Sequence, residues 1–365
     1  MGIREAKRHP QQLEALNYYA LLDDPQGTQH AIDDARRQAA VVRKFADGLK
    51  SSLANESRLH GWRVQAMFEG VILGLGAIRL LTREDAGSYY FDDVEGPLTG
   101  PDHRLVSASG EHLLVEVKSV APTAGFGPAR MRSVDLDAMR RYADLTDARL
   151  LLAHYWAATN LWTLVDSRVA KVQGTTALLG IEDAMKANEL GALGDGLLAT
   201  RPPLVMSLIA DRTKPRGIQP AGPGEQKVEF TTSGIEVSSA ARRVEDETEL
   251  RIARFLMSYG RWNMREQLRT RGDGIDGIDF VYTPLEPEDA ERQGFAMVGT
   301  LSSLYSTYYN VATLDEDGDV SRLRREPDPG YLATVIPSDY WDRSDRVLSL
   351  WRFDQQPSIG PSAPE

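Results

Sequence analysis

Asp102, Glu116 and Lys118 are the residues whose types and spacing point most directly to chemistry. Asp102 follows Gly100-Pro101 and opens the run His103–Val106. After the polar turn Ser109-Gly110-Glu111, Leu113, Val115 and Val117 alternate with Leu114, Glu116 and Lys118, the period-two pattern of a strand. Residues two apart on a strand share a face, so Glu116 and Lys118 point the same way. A hairpin turning at Ser109-Gly110 carries Asp102 toward them. Phosphodiester hydrolysis needs a nucleophilic water and a way to absorb negative charge. Two carboxylates offer hard oxygen ligands to Mg²⁺, which keeps several of its own waters. The ion lowers the pKa of a bound water and polarises the phosphate. Lys118 can orient or deprotonate that water and neutralise developing charge. The bland alternative is a surface hairpin with a solvated Glu116–Lys118 pair, but both strands read as buried, and buried ionisable pairs usually have a reason.

Pro101-Asp102 and Glu116-Val117-Lys118 resemble the two signatures of the PD-(D/E)XK nuclease superfamily, over roughly residues 60 to 170. The resemblance implies an α/β fold with a restriction-endonuclease-like core, a mixed sheet flanked by helices. It also implies Mg²⁺, with Mn²⁺ able to substitute, and DNA as the substrate. Many members carry an acid on a preceding helix. Here Phe68, Val71, Ile72 and Leu75 recur at helical spacing; Glu69 borders that stripe, with Gln65 one turn away. The resemblance thus adds Glu69 to Asp102 and Glu116 as a metal ligand, and to those two and Lys118 as a catalytic residue. A following helix from Ser133 to about Leu145 has Leu136, Met139 and Ala143 on one face, and it is followed by apolar strands Leu150–Trp156 and Leu161–Asp166. On that helix Arg140 or Arg141 stands where many relatives carry a polar residue near the site, a possible phosphate contact. The Glu-Val-Lys-Ser run is also similar to Holliday-junction resolvases, which are generally smaller chains.

Other ionisable residues read as structural. His103 should face away from Asp102, and His154 lies in an apolar strand as a core histidine. Asp315-Glu316-Asp317-Gly318-Asp319 lacks the glycine a calcium loop needs at its sixth position, Val320, and reads as a turn. Gly272–Asp279 reads as a loop.

Around this core the pattern suggests five stretches: an N-terminal helical segment at 1–59, the nuclease core at 60–171, a helical connector and linker at 172–224, an acidic α+β domain at 225–354 and a disordered tail at 355–365. Residues 28–59 carry Ala31, Ala35, Ala39, Val42, Phe45 and Leu49 at helical spacing and read as one helix braced on the core, with a dimer seam as the alternative. Leu178–Leu198 reads as helical. Arg212–Gly224, rich in Pro and Gly, reads as the linker. Glu245–Tyr259 reads as a helix that Arg261–Leu268 continues, with Arg261, Arg265, Arg269 and Arg271 forming a solvated face more readily than DNA contacts. Phe295–Phe353 reads as strands, its Tyr305, Tyr308 and Tyr309 serving packing more readily than base stacking.

The chain has 365 residues and a net charge of −11, unusual for a nucleic-acid enzyme. Residues 1–171 carry 21 basic and 22 acidic side chains and the remainder 21 and 31, so the acidity lies outside the nuclease core. The absence of cysteine excludes disulfides, thiolate metal sites and thiol nucleophiles. No stretch reaches the apolar length of a membrane span and Met1–Arg8 lacks a signal-peptide core, so a cytoplasmic location is expected. Together these readings describe a metal-dependent DNA endonuclease, of a restriction or anti-phage defence kind by fold-level analogy. The acidic half would recognise a protein partner or activating signal, and the protein would form a homo-oligomer. DNA repair or junction processing, and a catalytically silent nucleic-acid-binding or assembly protein, are the competing readings.

Overall fold

The structure is a computed structural model that describes residue 19 and residues 35–84, 90–91, 96–121, 127–222, 225–272 and 274–356. The start of the expected long helix, at 28–34, and all but two residues of the expected tail lie outside these. Helix α1 (Ala35–Leu53) and helix α2 (Glu56–Leu75) are separate. Asn55 divides them because its side chain accepts the Arg58 N–H at 2.9 Å, an N-cap that starts a new helix. No residue of α1 is buried, so the expected bracing of the core falls to α2. That helix buries Val64, Met67, Phe68, Val71 and Ile72.

The first sheet has the order β1-β2-β3-β5-β6, made of β1 (Ile78–Arg83), β2 (His103–Ser107), β3 (His112–Val120), β5 (Arg149–Trp156) and β6 (Leu161–Asp166). β1–β2–β3 and β5–β6 are antiparallel, whereas β3 and β5 are parallel. A parallel pair needs a crossover, here the short strand β4 (Ala129–Arg132) and helix α3 (Ser133–Leu145). The β2–β3 turn is closed by Gly110 at φ 93°, where a side chain would be strained. The alternation in β3 then divides the core. Leu113, Val115 and Val117 pack with α2, while Leu114 packs with Leu136, Met139 and Ala143 of α3. The outcome is a mixed sheet flanked by helices, as expected. No helix among the described residues is long and apolar enough to cross a membrane.

Beyond residue 171 the expected organisation needs correction. Leu178–Leu198 is not one helix. It contains the end of β8 (Thr176–Leu179), which pairs with β4 and with β7 (Lys171–Gln173), then the short α4 (Ile181–Lys186), a 3₁₀ turn, and the start of β9 (Gly196–Thr200). Within the Pro/Gly run expected as a linker, Arg216–Gly222 is a hairpin arm, β11, paired with β12 (Glu225–Phe230). Pro220 is tolerated because this ribbon has only two strands, so every strand is an edge. Between them, β10 (Leu204–Ala210) pairs with β13 (Thr232–Ser239) and with β16 (Gly274–Pro284). The second sheet, completed by β14 (Arg242–Val244) and β15 (Trp262–Arg271), therefore crosses the expected boundary at 224. Helix α5 (Glu247–Tyr259) is capped by Asp246, but the expected continuation is not helical, since edge strand β15 already begins at Trp262, and β16 begins at Gly274 within the stretch expected as a loop. A short helix α6 (Pro287–Gln293) precedes β17 (Ala296–Thr300).

Leu301–Thr313 is helix α7, and Tyr331–Val335 is the short α8. β18 (Leu350–Asp354) pairs with β9, which also pairs with β17. Asp315–Asp319 is a turn in which Asp315 accepts the Asp317 and Asp319 N–H groups.

The two halves are not independent. α7 lies against α2, with Tyr305 filling the space above Gly70 and Gly74; a Cβ at Gly70 would stand 2.9 Å from the Tyr305 hydroxyl. Trp162 donates to Ser306 at 2.8 Å, and Asn160 donates to the Ser303 carbonyl and to Thr307. Buried Arg63 of α2 donates to Asn310 and Thr313. A single apolar cluster contains Phe68, Val115 and Trp162 together with Phe255, Tyr305 and Tyr340. The tyrosines serve packing: Tyr305 and Tyr309 are buried, and Tyr308 stacks on Tyr331 at 4.6 Å between centroids. Removing α7 would open this core, so a chain ending at Gly217 should show no cooperative unfolding transition, whereas the full chain melts in one. Tyr305→Ala in the full chain should cost about 3–5 kcal/mol, the usual range for a buried aromatic. A 1–217 chain with native-like chemical-denaturation behaviour would contradict this packing.

Candidate active site

Asp102 sits at the mouth of β2, fixed through its main chain by the Glu84 N–H, which donates to its carbonyl at 3.0 Å. Its side chain is gripped from two sides. The Val117 N–H donates to Oδ2 at 2.7 Å, and Gln65 of α2 donates through Nε2 to Oδ1 at 2.5 Å. Val117 is the residue between Glu116 and Lys118, so one hydrogen bond sets Asp102 beside the pair. Glu116 is buried and Lys118 is half-exposed; Lys118 Nζ stands 2.5 Å from Glu116 Oε1. The hairpin brings Asp102, Glu116 and Lys118 together.

The charges act on one another. Burial, and then the nearby Asp102 carboxylate, push Glu116 up to about 6 against the opposing pull of Lys118. Two carboxylates crowded in this way favour a proton or a cation. Burial works against the charge of Lys118, but Glu116, Asp102 and Asp135 outweigh it and hold the ammonium above its ordinary pKa. Lys118 in this state is therefore a proton donor and positive charge, suited to orienting a water or stabilising an oxyanion more than to removing a proton. His154 lies in register with Lys118 on the adjacent strand, and burial followed by the Lys118 charge push it down to about 4. Neutral His154 does not compete for the site's charge. Its buried Nδ1 finds no partner among the described residues.

Glu69 is placed differently from the sequence expectation. Its Oε1 receives Arg83 Nε at 2.7 Å and meets His103 Nε2 at 3.1 Å. Burial favours the neutral acid, but the His103 and Arg83 bonds outweigh it and draw Glu69 below the ordinary carboxylate range. A carboxylate accepts only, so Nε2 of His103 carries the proton. The helix residue that reaches Asp102 is Gln65, one turn earlier, where the same helical spacing had already placed a polar group. His103 is buried against Phe68 and supports Glu69, a role that its position in the strand did not suggest. Arg140 is committed to the Ser167 carbonyl at 2.7 Å and Arg141 to the Pro97 carbonyl at 2.8 Å. Both arginines are thus tied to main chain. Tyr142, one position on, donates to Glu84 at 2.6 Å, and Glu84 accepts both Nε and Nη2 of Arg104. That cluster ties α3 to the end of β1 and to β2, next to the segment that holds Asp102.

Among the described residues no three His, Asp or Glu side chains form a ready metal cluster. Asp102 and Glu116 nonetheless fit a hard divalent ion in chemistry. They are two carboxylates, Asp102 raising the proton affinity of Glu116, and a cationic ammonium already sits against Glu116. Mg²⁺ needs few protein ligands because it retains water.

No protein-family model matches this chain, and no curated protein matches it. Among solved structures, the Holliday junction resolvase Hjc of the archaeal hyperthermophile Archaeoglobus fulgidus aligns with 28% of this chain and 76% of its own, at 14% identity and a TM-score of 0.23. A likeness this slight is no guide to function.

The electrostatics make a stability prediction with a definite sign. A carboxyl whose folded pKa is raised contributes stability below its unfolded value, near 4.5, that is lost as pH rises through about 6. With no metal added, the stability of Glu116→Gln relative to wild type should therefore rise by about 2 kcal/mol between acidic and neutral pH. Denaturant unfolding of both proteins across that range measures it. A difference that stays flat with pH would contradict the placement of Glu116.

Proposed function

We propose that this protein is a metal-dependent nuclease that hydrolyses DNA phosphodiester bonds. The observation that carries the reading is the Val117 N–H to Asp102 bond, which joins Asp102 to a strand presenting Glu116 and Lys118 side by side. Asp102 and Glu116 would hold Mg²⁺, which supplies an activated water and a polarised phosphate when bound. Gln65 and the Val117 N–H keep Asp102 oriented toward that position. Lys118 holds its proton on Nζ, where it can orient the attacking water and offset charge on the phosphate oxygens. Buried Glu116 has a raised proton affinity, so proton and metal compete for it and metal binding should weaken as pH falls through about 6.

A restriction or anti-phage role draws on two separable halves, and the shared core lends that no support. A catalytically silent protein would have no need to bury a crowded acid pair, an arrangement that costs stability.

Asp102→Asn, Glu116→Ala and Lys118→Ala should each lower cutting by at least about a hundredfold, the least that a positioned proton-transfer or charge-stabilising group contributes. The assay sets supercoiled, linear and single-stranded DNA and RNA against the full chain, with Mg²⁺ and with EDTA. Glu69→Ala should cost less, since Glu69 acts through His103 and Arg83. Wild-type rates in any of the first three folded variants, or undiminished cutting in EDTA, would sink the assignment.

A further inference from the structure

Beside Lys118 an open cleft of about 430 Å³ runs between the end of β3 and the start of β4. Its walls are apolar or small, with Val120, Ala121, Pro128 and Ala129 among them, and its charged lining residues are Lys118 and Arg130. Among the described residues no carboxylate lines it. Arg130 and Arg132 alternate along β4 and so share a face, but their circumstances differ. Arg132 is held by both oxygens of Asp135, at 2.8 and 2.6 Å. Arg130 is exposed and forms no ion pair among the described residues. Its backbone is fixed in register with Leu178 of β8, so the guanidinium projects from a firm strand.

A cleft of this size with small and apolar walls and two cations in its lining suits a nucleotide unit, since ligand sites of a few hundred Å³ pair apolar walls with a few placed polar groups. Guanidinium groups bind phosphate through paired N–H donors. We infer that the cleft is a subsite for the nucleotide next to the scissile phosphate, with Arg130 holding that nucleotide's outer phosphate and the Val120–Ala121 and Pro128 walls its sugar or base. The inference rests on the nuclease reading, in which Lys118 faces the scissile phosphate. It assigns Arg130 to substrate binding and leaves the chemical step to Asp102, Glu116 and Lys118.

The test uses the full chain and a labelled DNA duplex, with anisotropy measured across a salt titration in EDTA. Arg130→Gln should weaken binding about tenfold at low salt, the worth of one charge-assisted contact. It should also reduce the log–log salt slope by about 0.9, the loss of one phosphate contact. Arg130→Lys should restore the slope, and Ala121→Trp, which fills the slot with Arg130 intact, should weaken binding as well. In cleavage with Mg²⁺, Arg130→Gln should raise KM far more than it lowers kcat. Deoxynucleoside monophosphate should compete better than inorganic phosphate; equal competition would overturn a nucleotide subsite. Wild-type affinity and slope in both Arg130→Gln and Ala121→Trp would also overturn it, even if the protein cuts DNA. Arg130-dependent binding by a protein that never cuts would support the cleft and remove the nuclease reading.

Discussion

Helix α2 is the constraint on which the rest of the structure depends, because it is packed on two sides at once. One side buries Val64, Met67, Phe68, Val71 and Ile72 in the core shared with β3. The other admits Tyr305 of α7 through the gap left by Gly70 and Gly74. Three of its polar residues also have distant partners: Arg63 with Asn310 and Thr313 on the side facing α7, Gln65 with Asp102, and Glu69 with Arg83 and His103. A shift of α2 would disturb all of these together, since close-packed interiors transmit displacement. The glycines make the close approach of α7 possible, which couples residues beyond 300 to the position of Asp102.

The site itself is held against its own electrostatics. Asp102 and Glu116 repel, and burial of Glu116 makes that repulsion costly. Lys118 offsets part of it from a half-exposed position. Such an arrangement persists only where the surrounding structure fixes it, here through the Val117 N–H and the β3–β5 ladder. It is the pattern expected where stability is traded for function. The Arg63 guanidinium has a different part. It is buried and held by neutral oxygens, with Nε unpartnered among the described residues, and burial draws its pKa down. It serves the junction between α2 and α7.

The first sheet was legible in the sequence because its signals are local. Alternation in His112–Val120, helical spacing at Leu136, Met139 and Ala143, and the glycine turn each identify their element without reference to distant residues. The triad came with them, since a strand and a hairpin suffice to bring Asp102, Glu116 and Lys118 together. What was not legible depends on tertiary partners. Leu301–Thr313 is rich in Ser, Thr and Tyr, weak helix formers, and it is helical because Tyr305 and Tyr309 find burial against α2. Pro220 and its glycines look like a linker, yet a two-stranded ribbon tolerates them. Arg261–Leu268 carries no clear period, and its pairing with β16 decides its state. Glu69 and Gln65 lie one turn apart on the same side of α2, so helical geometry alone could not tell which would meet Asp102.

The position of a bound metal decides most directly whether Asp102 and Glu116 form a metal-dependent site. Crystals of the full chain grown with Mn²⁺ would locate the ion by its anomalous scattering. The expected result is a peak bridging the Asp102 and Glu116 carboxylates, with Lys118 Nζ moved off Glu116 Oε1 and Asp102 still bonded to the Val117 N–H. Crystals saturated with Mn²⁺ that show no peak there, with the Lys118–Glu116 pair unchanged, would contradict it.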